Sequence, residues 1–249
     1  MNRLAKQLGR ALVACLFVTC VPCVEAVIVI DDFDTPDGPI AVVMPLLDGE
    51  TAFVETTNAE ILGGQRDMLF DIMGSTPRLV GFSAEVNGGE FWYDGHTPGT
   101  SAILQYDGLD TDILGSPPQL VRSEALGGID LTQAGRLFMF SLRFASIDHP
   151  MDIEIDVHSG LEMATFSGTL GAHPGTPTIF KAMFDDFSGD NVFGDATSIE
   201  LRFNPQGAED IDFQLRSIAV TAPEPSAMIT WGVGLFALLW YAVRRRRQG

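Results

Sequence analysis

The chain has 249 residues, of which 46% are hydrophobic, 9% aromatic and 19% charged, which is enough apolar material for a buried core and excludes a disordered polar tail. Charged residues fall below the usual quarter while 26 glycines and 14 prolines punctuate the chain, a balance that excludes a coiled coil and favours short strands joined by turns. The formal charge of −18 repels a phosphate backbone and basic residues cluster only at the two ends, so no nucleic acid partner is expected.

In chain order, Arg3, Lys6 and Arg10 make a positive start and residues 11–21 an apolar run. Val24-Glu25-Ala26 then closes on the small-residue pattern that signal peptidase accepts. Residues 1–26 are therefore expected to be a secretory signal peptide, with signal peptidase as the first processing partner. An uncleaved anchor ranks below this, because the apolar run is shorter than the ~20 residues of a membrane span. Leu12-Val13-Ala14-Cys15 has the form of a lipoprotein box, yet too few apolar residues precede Cys15 for it to work. Cys15, Cys20 and Cys23 all lie in this segment. The exported body is thus expected to have no disulfide, no cysteine nucleophile and no thiolate metal site.

Residues 27–222 read as one exported domain. They hold eight Lys and Arg against 31 Asp and Glu, a net charge of −23, and Lys181 is their only lysine. Such a surface stays soluble by self-repulsion and invites divalent cations. Short runs with period-two alternation, bounded by Gly, Pro, Asn or Asp, predict thirteen strands: 27–33, 40–47, 51–56, 66–72, 78–86, 90–93, 102–106, 137–144, 151–158, 162–168, 178–184, 198–203 and 211–220. Residues 108–135, with Pro117-Pro118 and Gly127-Gly128, predict a loop containing one helical turn at 131–134. The expected fold is all-β, a single two-sheet β-sandwich of jelly-roll type.

Several positions along these strands can bear chemistry. Calcium needs six to eight oxygens, and three acidic groups offer them: Asp31, Asp32 and Asp34; Asp107, Asp110 and Asp112; and Asp185, Asp186 and Asp190, with Asp195 nearby. None matches an EF-hand, and each reads first as a solvated turn, with calcium binding second. For glycan stacking the candidates are Phe91, Trp92, Tyr93 and Tyr106. Trp92 is the only tryptophan of the body, and alternation puts Phe91 and Tyr93 on one face and Trp92 on the other, so at least one set belongs to the core, which is the first reading for each of these aromatics. Glu154-Ile155-Asp156 resembles the catalytic strand of sandwich-fold β-glucanases, but those enzymes need a further carboxylate about 5 Å away, and His158 cannot supply it. Asp152, Glu154, Asp156 and His158 read instead as a solvated face. His96, His149, His158 and His173 form no ligand pair, and neither a Gly-x-Ser-x-Gly elbow nor a phosphate-cradling glycine loop occurs.

Asp31-Asp32-Phe33-Asp34, the FKAMFDDF stretch at 180–187, and the alternating runs 198–203 and 212–218 together resemble galactose-binding-like jelly rolls. The resemblance implies paired first and last strands and a glycan-binding face.

At the C-terminus, residues 227–243 form 17 uncharged positions followed at once by Arg244, Arg245, Arg246 and Arg247, which predicts a short transmembrane helix with the arginines cytoplasmic and the body outside. Pro223-Glu224-Pro225-Ser226 stands directly before it. Two prolines fix an extended backbone, the form in which a protease takes its substrate. Motif, helix and arginine cluster in this order resemble the PEP-CTERM sorting signal (223–249) of exported bacterial proteins. That resemblance implies an exosortase partner, a membrane-anchored intermediate, and delivery to the cell surface or extracellular matrix with its polysaccharide. The expected role is non-catalytic, structural or adhesive; a carbohydrate-binding module is the alternative, and a glycoside hydrolase a third reading that requires two carboxylates on one cleft.

Overall fold

The computed structural model describes residues 27–43, 51–72, 81–95, 99–109, 125–207 and 210–222. The signal segment 1–26, the sorting motif with its helix and arginines at 223–249, and the ends of two predicted strands at 44–47 and 78–80 lie outside the described residues. Among the described residues no helix is long and apolar enough to cross a membrane.

Fourteen strands are described: β1 (Val27–Asp31), β2 (Asp37–Val43), β3 (Thr51–Thr57), β4 (Gln65–Ile72), β5 (Gly81–Asn87), β6 (Glu90–Asp94), β7 (Thr100–Tyr106), β8 (Met139–Ile147), β9 (Met151–Ser159), β10 (Glu162–Leu170), β11 (Thr178–Met183), β12 (Ser188–Gly189), β13 (Ser198–Phe203) and β14 (Asp212–Thr221). Each of the thirteen expected strands is present. The addition is β12, only two residues long, which pairs with β10 through Ala164 and Thr165. A two-residue strand has too little sequence to show alternation, so no pattern could announce it.

All pairings are antiparallel, and they build two seven-stranded sheets. The first runs β11-β8-β14-β6-β5-β2; the second runs β12-β10-β9-β13-β7-β4-β3. The long β14 has β8 on one side, while β6 pairs with its first half and β1 with its second. The first and last strands therefore pair, as the jelly-roll resemblance implies.

The core lies between the sheets and is aromatic. Phe70 of the second sheet stacks on Phe82 of the first at 4.7 Å between centroids. Phe203 of the second sheet meets Phe213 of the first at 4.9 Å, with the rings tilted by 39°. Burying one such ring contributes about 1.5–3 kcal/mol, and alternation explains why these positions and not their neighbours point inward. β7 shows the limit of that rule: every residue from Thr100 to Tyr106 is buried, on both faces.

The segment 131–134 departs from expectation. Gln133 and Ala134 have φ of 46° and 59°, so it is a left-handed turn, not a helical one. Asp130 Oδ1 accepts the Thr132 amide and Oδ2 the Ala134 amide, both at 2.9 Å, and these bonds hold the turn closed.

Candidate functional site

Four strands of the first sheet, β5, β6, β14 and β8, present an outer face on which Trp92 is 46% exposed. Register puts Glu85 of β5 and Gln214 of β14 directly opposite Trp92. One row along, Asp94 lies between Ser83 of β5 and Asp212 of β14. The turn after β8 adds Asp148. Together they line an open cleft of about 440 Å³.

The acids of this cleft are coupled. The Asp212 amide donates to Asp148 Oδ1 at 2.7 Å, and the Gly95 amide donates to Asp212 Oδ1 at 3.3 Å. His149 Nδ1 lies 2.8 Å from the other Asp148 oxygen. The Asp212 carboxyl is pushed up to about 6, first by desolvation, then by its hydrogen bond to Asp94 and the charges of Asp94 and Asp148. A carboxyl with a second carboxyl directly opposite on the adjacent strand ionises against that charge, so Asp212 keeps its proton into the weakly acidic range. An exposed indole beside a row of hydrogen-bond acceptors offers what a pyranose needs: an apolar platform for its C–H face and partners for its hydroxyls.

Tyr93 and Tyr106, expected as stacking residues, are corrected by the structure. Tyr93 is buried against Phe70, Phe82 and Phe213. Tyr106 is fully buried, with its hydroxyl donating to Asp31 Oδ2 at 3.0 Å. Phe91 also belongs to the core. Neither tyrosine ring is exposed for stacking, and of the expected aromatic set only Trp92 is exposed.

The acidic groups do not assemble into calcium sites among the described residues, where no group of three or more His, Cys, Asp or Glu is placed to hold a metal ion. Asp31 is buried and bound to Arg66 Nη1 at 2.7 Å, while Asp32 and Asp34 are exposed and share an Asx turn. Asp107 is buried and accepts from Gln105 at 2.7 Å; Asp110 and Asp112 lie outside the described residues. Asp185, Asp186 and Asp190 are exposed around the short 3-10 turn after β11. Asp185 and Asp190 rim a second shallow cleft of about 420 Å³, where Phe184 and Phe187 pack on Phe193.

The outer face of the second sheet holds Glu154 and Asp156. Sequence reasoning found no third acid for them, yet Glu200 sits opposite Asp156 on β13. The signal was Glu200 alternating with Arg202; what was missing was the knowledge that β13 lies beside β9. The three acids close on a cation. Arg202 donates to Glu154 at 2.6 Å and to Glu200 at 2.5 Å, with Asp156 at 3.5 Å. The Thr165 hydroxyl donates to Asp156 at 2.6 Å. These carboxylates clamp an arginine and do not flank an open cleft. Asp156 and His158 are buried, so the expected solvated face is solvated at Asp152 and in part at Glu154. His173 closes a turn through its backbone, pairing with Ile147, and His96 lies outside the described residues.

No family model matches the sequence, and no curated protein matches it. Among solved structures the chain is similar to a family 11 carbohydrate-binding module from Clostridium thermocellum, in complex with a β-1,3-1,4-mixed-linked tetrasaccharide: 14% identity, TM-score 0.37, covering 80% of this chain and 97% of that one. The family 11 module of a cellulosomal cellulase from the same organism gives 13% identity and a TM-score of 0.37, covering 79% and 95%. An agarase gives 12% identity and a TM-score of 0.42, covering 79% of this chain but only 25% of the agarase.

Proposed function

We propose that residues 27–222 are a non-catalytic carbohydrate-binding domain that engages extracellular polysaccharide through the Trp92 cleft. One observation supports it above the others: of the aromatics expected to stack on a sugar, Trp92 alone stands half-exposed over a cleft of acceptors, with Tyr93 and Tyr106 in the core. The adhesive role expected from the termini is then performed by this cleft. Affinity electrophoresis of the full-length chain, solubilised in detergent, through gels containing neutral, amino and acidic polysaccharides tests the reading. Retardation by at least one gel, reduced about tenfold or more in Trp92→Ala and largely kept in Trp92→Phe, is the expected result; it corresponds to roughly 1.5 kcal/mol of platform contact. Equal retardation of wild type and Trp92→Ala overturns it.

Export is part of the same proposal, supported by the signal segment 1–26 and the order of Pro223-Glu224-Pro225, apolar run and Arg244–Arg247. Signal peptidase and an exosortase are the proposed processing partners, with a membrane-anchored intermediate and a final place at the cell surface or matrix. Intact mass and N-terminal sequencing of the surface fraction check it: a chain beginning near Val27 and ending near Pro223 is expected, and a full-length chain in the cytosol overturns it.

A further inference from the structure

The charge of the Trp92 cleft narrows the ligand class, and the inference rests on the carbohydrate reading above. Carboxylates enter the cleft from four elements: Glu85 from β5, Asp94 from β6, Asp148 from the turn after β8, and Asp212 from β14. Among the described residues no lysine or arginine lines it. The Arg216 guanidinium farther along β14 is bound to Glu90 at 2.7 Å, and His149 Nδ1 lies 2.8 Å from one oxygen of Asp148. Asp94 and Asp212, paired across β6 and β14, face each other, and the Gly95 amide donates to Asp212 beside them.

We propose that this cleft selects a cationic amino sugar, a hexosamine unit whose amine is free, over neutral and anionic saccharides. Such a unit presents an apolar pyranose face to Trp92 and an ammonium to the Asp94–Asp212 pair, so both halves of the cleft are used at once. The ammonium sits between the two facing carboxyls and converts a like-charge conflict into two charge-assisted hydrogen bonds. A neutral sugar gains the platform and leaves the conflict in place. A uronate or sulfated unit brings a further anion into a cleft already lined by four carboxyls and is repelled. A free divalent cation is a poorer match, because no group of three or more acids among the described residues is placed to hold a metal. The site itself stands on the cleft and its exposed indole; the acids set the charge of what enters.

The test is isothermal titration of the full-length chain in detergent, at pH 6.5 and low salt, with a glucosamine hexamer, the N-acetylated hexamer, a galacturonate hexamer and hexalysine. The glucosamine hexamer is expected to bind at least tenfold more tightly than its acetylated counterpart, and the galacturonate hexamer not to bind. Asp94→Asn/Asp212→Asn should lose the preference for the free amine while still binding the acetylated hexamer. Equal affinity of wild type for the two hexamers overturns the inference and leaves carbohydrate binding standing, and this comparison needs no variant to fold. Hexalysine binding as tightly as the glucosamine hexamer, or tight glucosamine binding that survives Trp92→Ala, shows recognition by charge alone and also overturns it. Binding of none of the saccharides overturns the inference, and the carbohydrate reading is then decided by the gel test with neutral polysaccharides and Trp92→Ala.

Discussion

Arg66 is fully buried, and its charge is met by Asp31 at 2.7 Å, with its guanidinium carbon 5.3 Å from the Phe33 ring centroid. Asp31 in turn accepts the Phe33 amide at 2.8 Å and the Tyr106 hydroxyl. Burial pushes the Asp31 carboxyl up from its ordinary value, and Arg66, the Phe33 amide and Tyr106 oppose that push. The group joins β1 of one sheet to β4 and β7 of the other. Removing one partner strands the other as a buried charge, so Arg66→Met is expected to cost about 3–5 kcal/mol in urea unfolding, against about 1 kcal/mol for Tyr106→Phe, which deletes only a hydrogen bond. Asp212 gives a pH-dependent counterpart. Its folded carboxyl is raised to about 6, above its unfolded value, so the folded state holds the extra proton and stability falls as pH rises from about 4 to 6. Asp212→Asn should therefore be more stable than wild type above pH 6, by about 1 kcal/mol once solvent screening is allowed for, with the gap closing by pH 4; melting curves across that range check it. Trp92 was legible in the sequence, because alternation set it against Phe91 and Tyr93. The reason for the burial of Tyr106 was not: it comes from β7 being buried along its whole length, on both faces, which no single strand reveals.

Strands declare themselves through alternation, and register through their neighbours, which is why the first was readable and the second was not. The run 198–203 showed Glu200 and Arg202 on one face, yet only its place between β9 and β7 makes Arg202 the clamp that binds Glu154. The same limit hid the cleft, since Asp94, Asp148 and Asp212 are far apart in the chain and meet only because β6, β14 and the end of β8 are adjacent. The edge strand β12 rests on backbone conformation instead. Gly189 has φ of 109°, and a Cβ there would stand 2.3 Å from the Met163 carbonyl oxygen. Gly189→Ala is expected to break the pairing of β12 with β10, at a cost of about 1–3 kcal/mol. Hydrogen exchange should show lost protection confined to residues 163–165 and 188–190, while the β9–β13 pairing keeps its own. Uniform loss across both sheets would mean that this edge is not separable from the core.

Across the whole molecule, self-repulsion of like charge sets how stability responds to the solvent. Residues 27–222 carry 31 acids against eight bases, and Arg66, Arg202 and Arg216 are already committed to ion pairs. Two anions 10 Å apart in water repel by about 0.4 kcal/mol; each pair is minor, but an excess of this size repeats that repulsion over the surface and opposes compaction. Ionic strength shortens its reach from about 10 Å at 0.1 M to about 3 Å at 1 M. Raising monovalent salt over this range should therefore raise the melting temperature by several degrees, at roughly 2–4 °C per kcal/mol for a domain of this size. Because the effect is screening, choline chloride should match sodium chloride. Millimolar calcium should add little, since the acids are dispersed and no group among the described residues is placed to hold a metal. The opposite outcome, a rise with millimolar calcium and none with molar sodium chloride, would place the repulsion at one ion site instead of across the surface. The acids around the 3-10 turn at Phe184–Asp186 would then be the first to substitute, with Asp185→Asn and Asp190→Asn expected to abolish that calcium response.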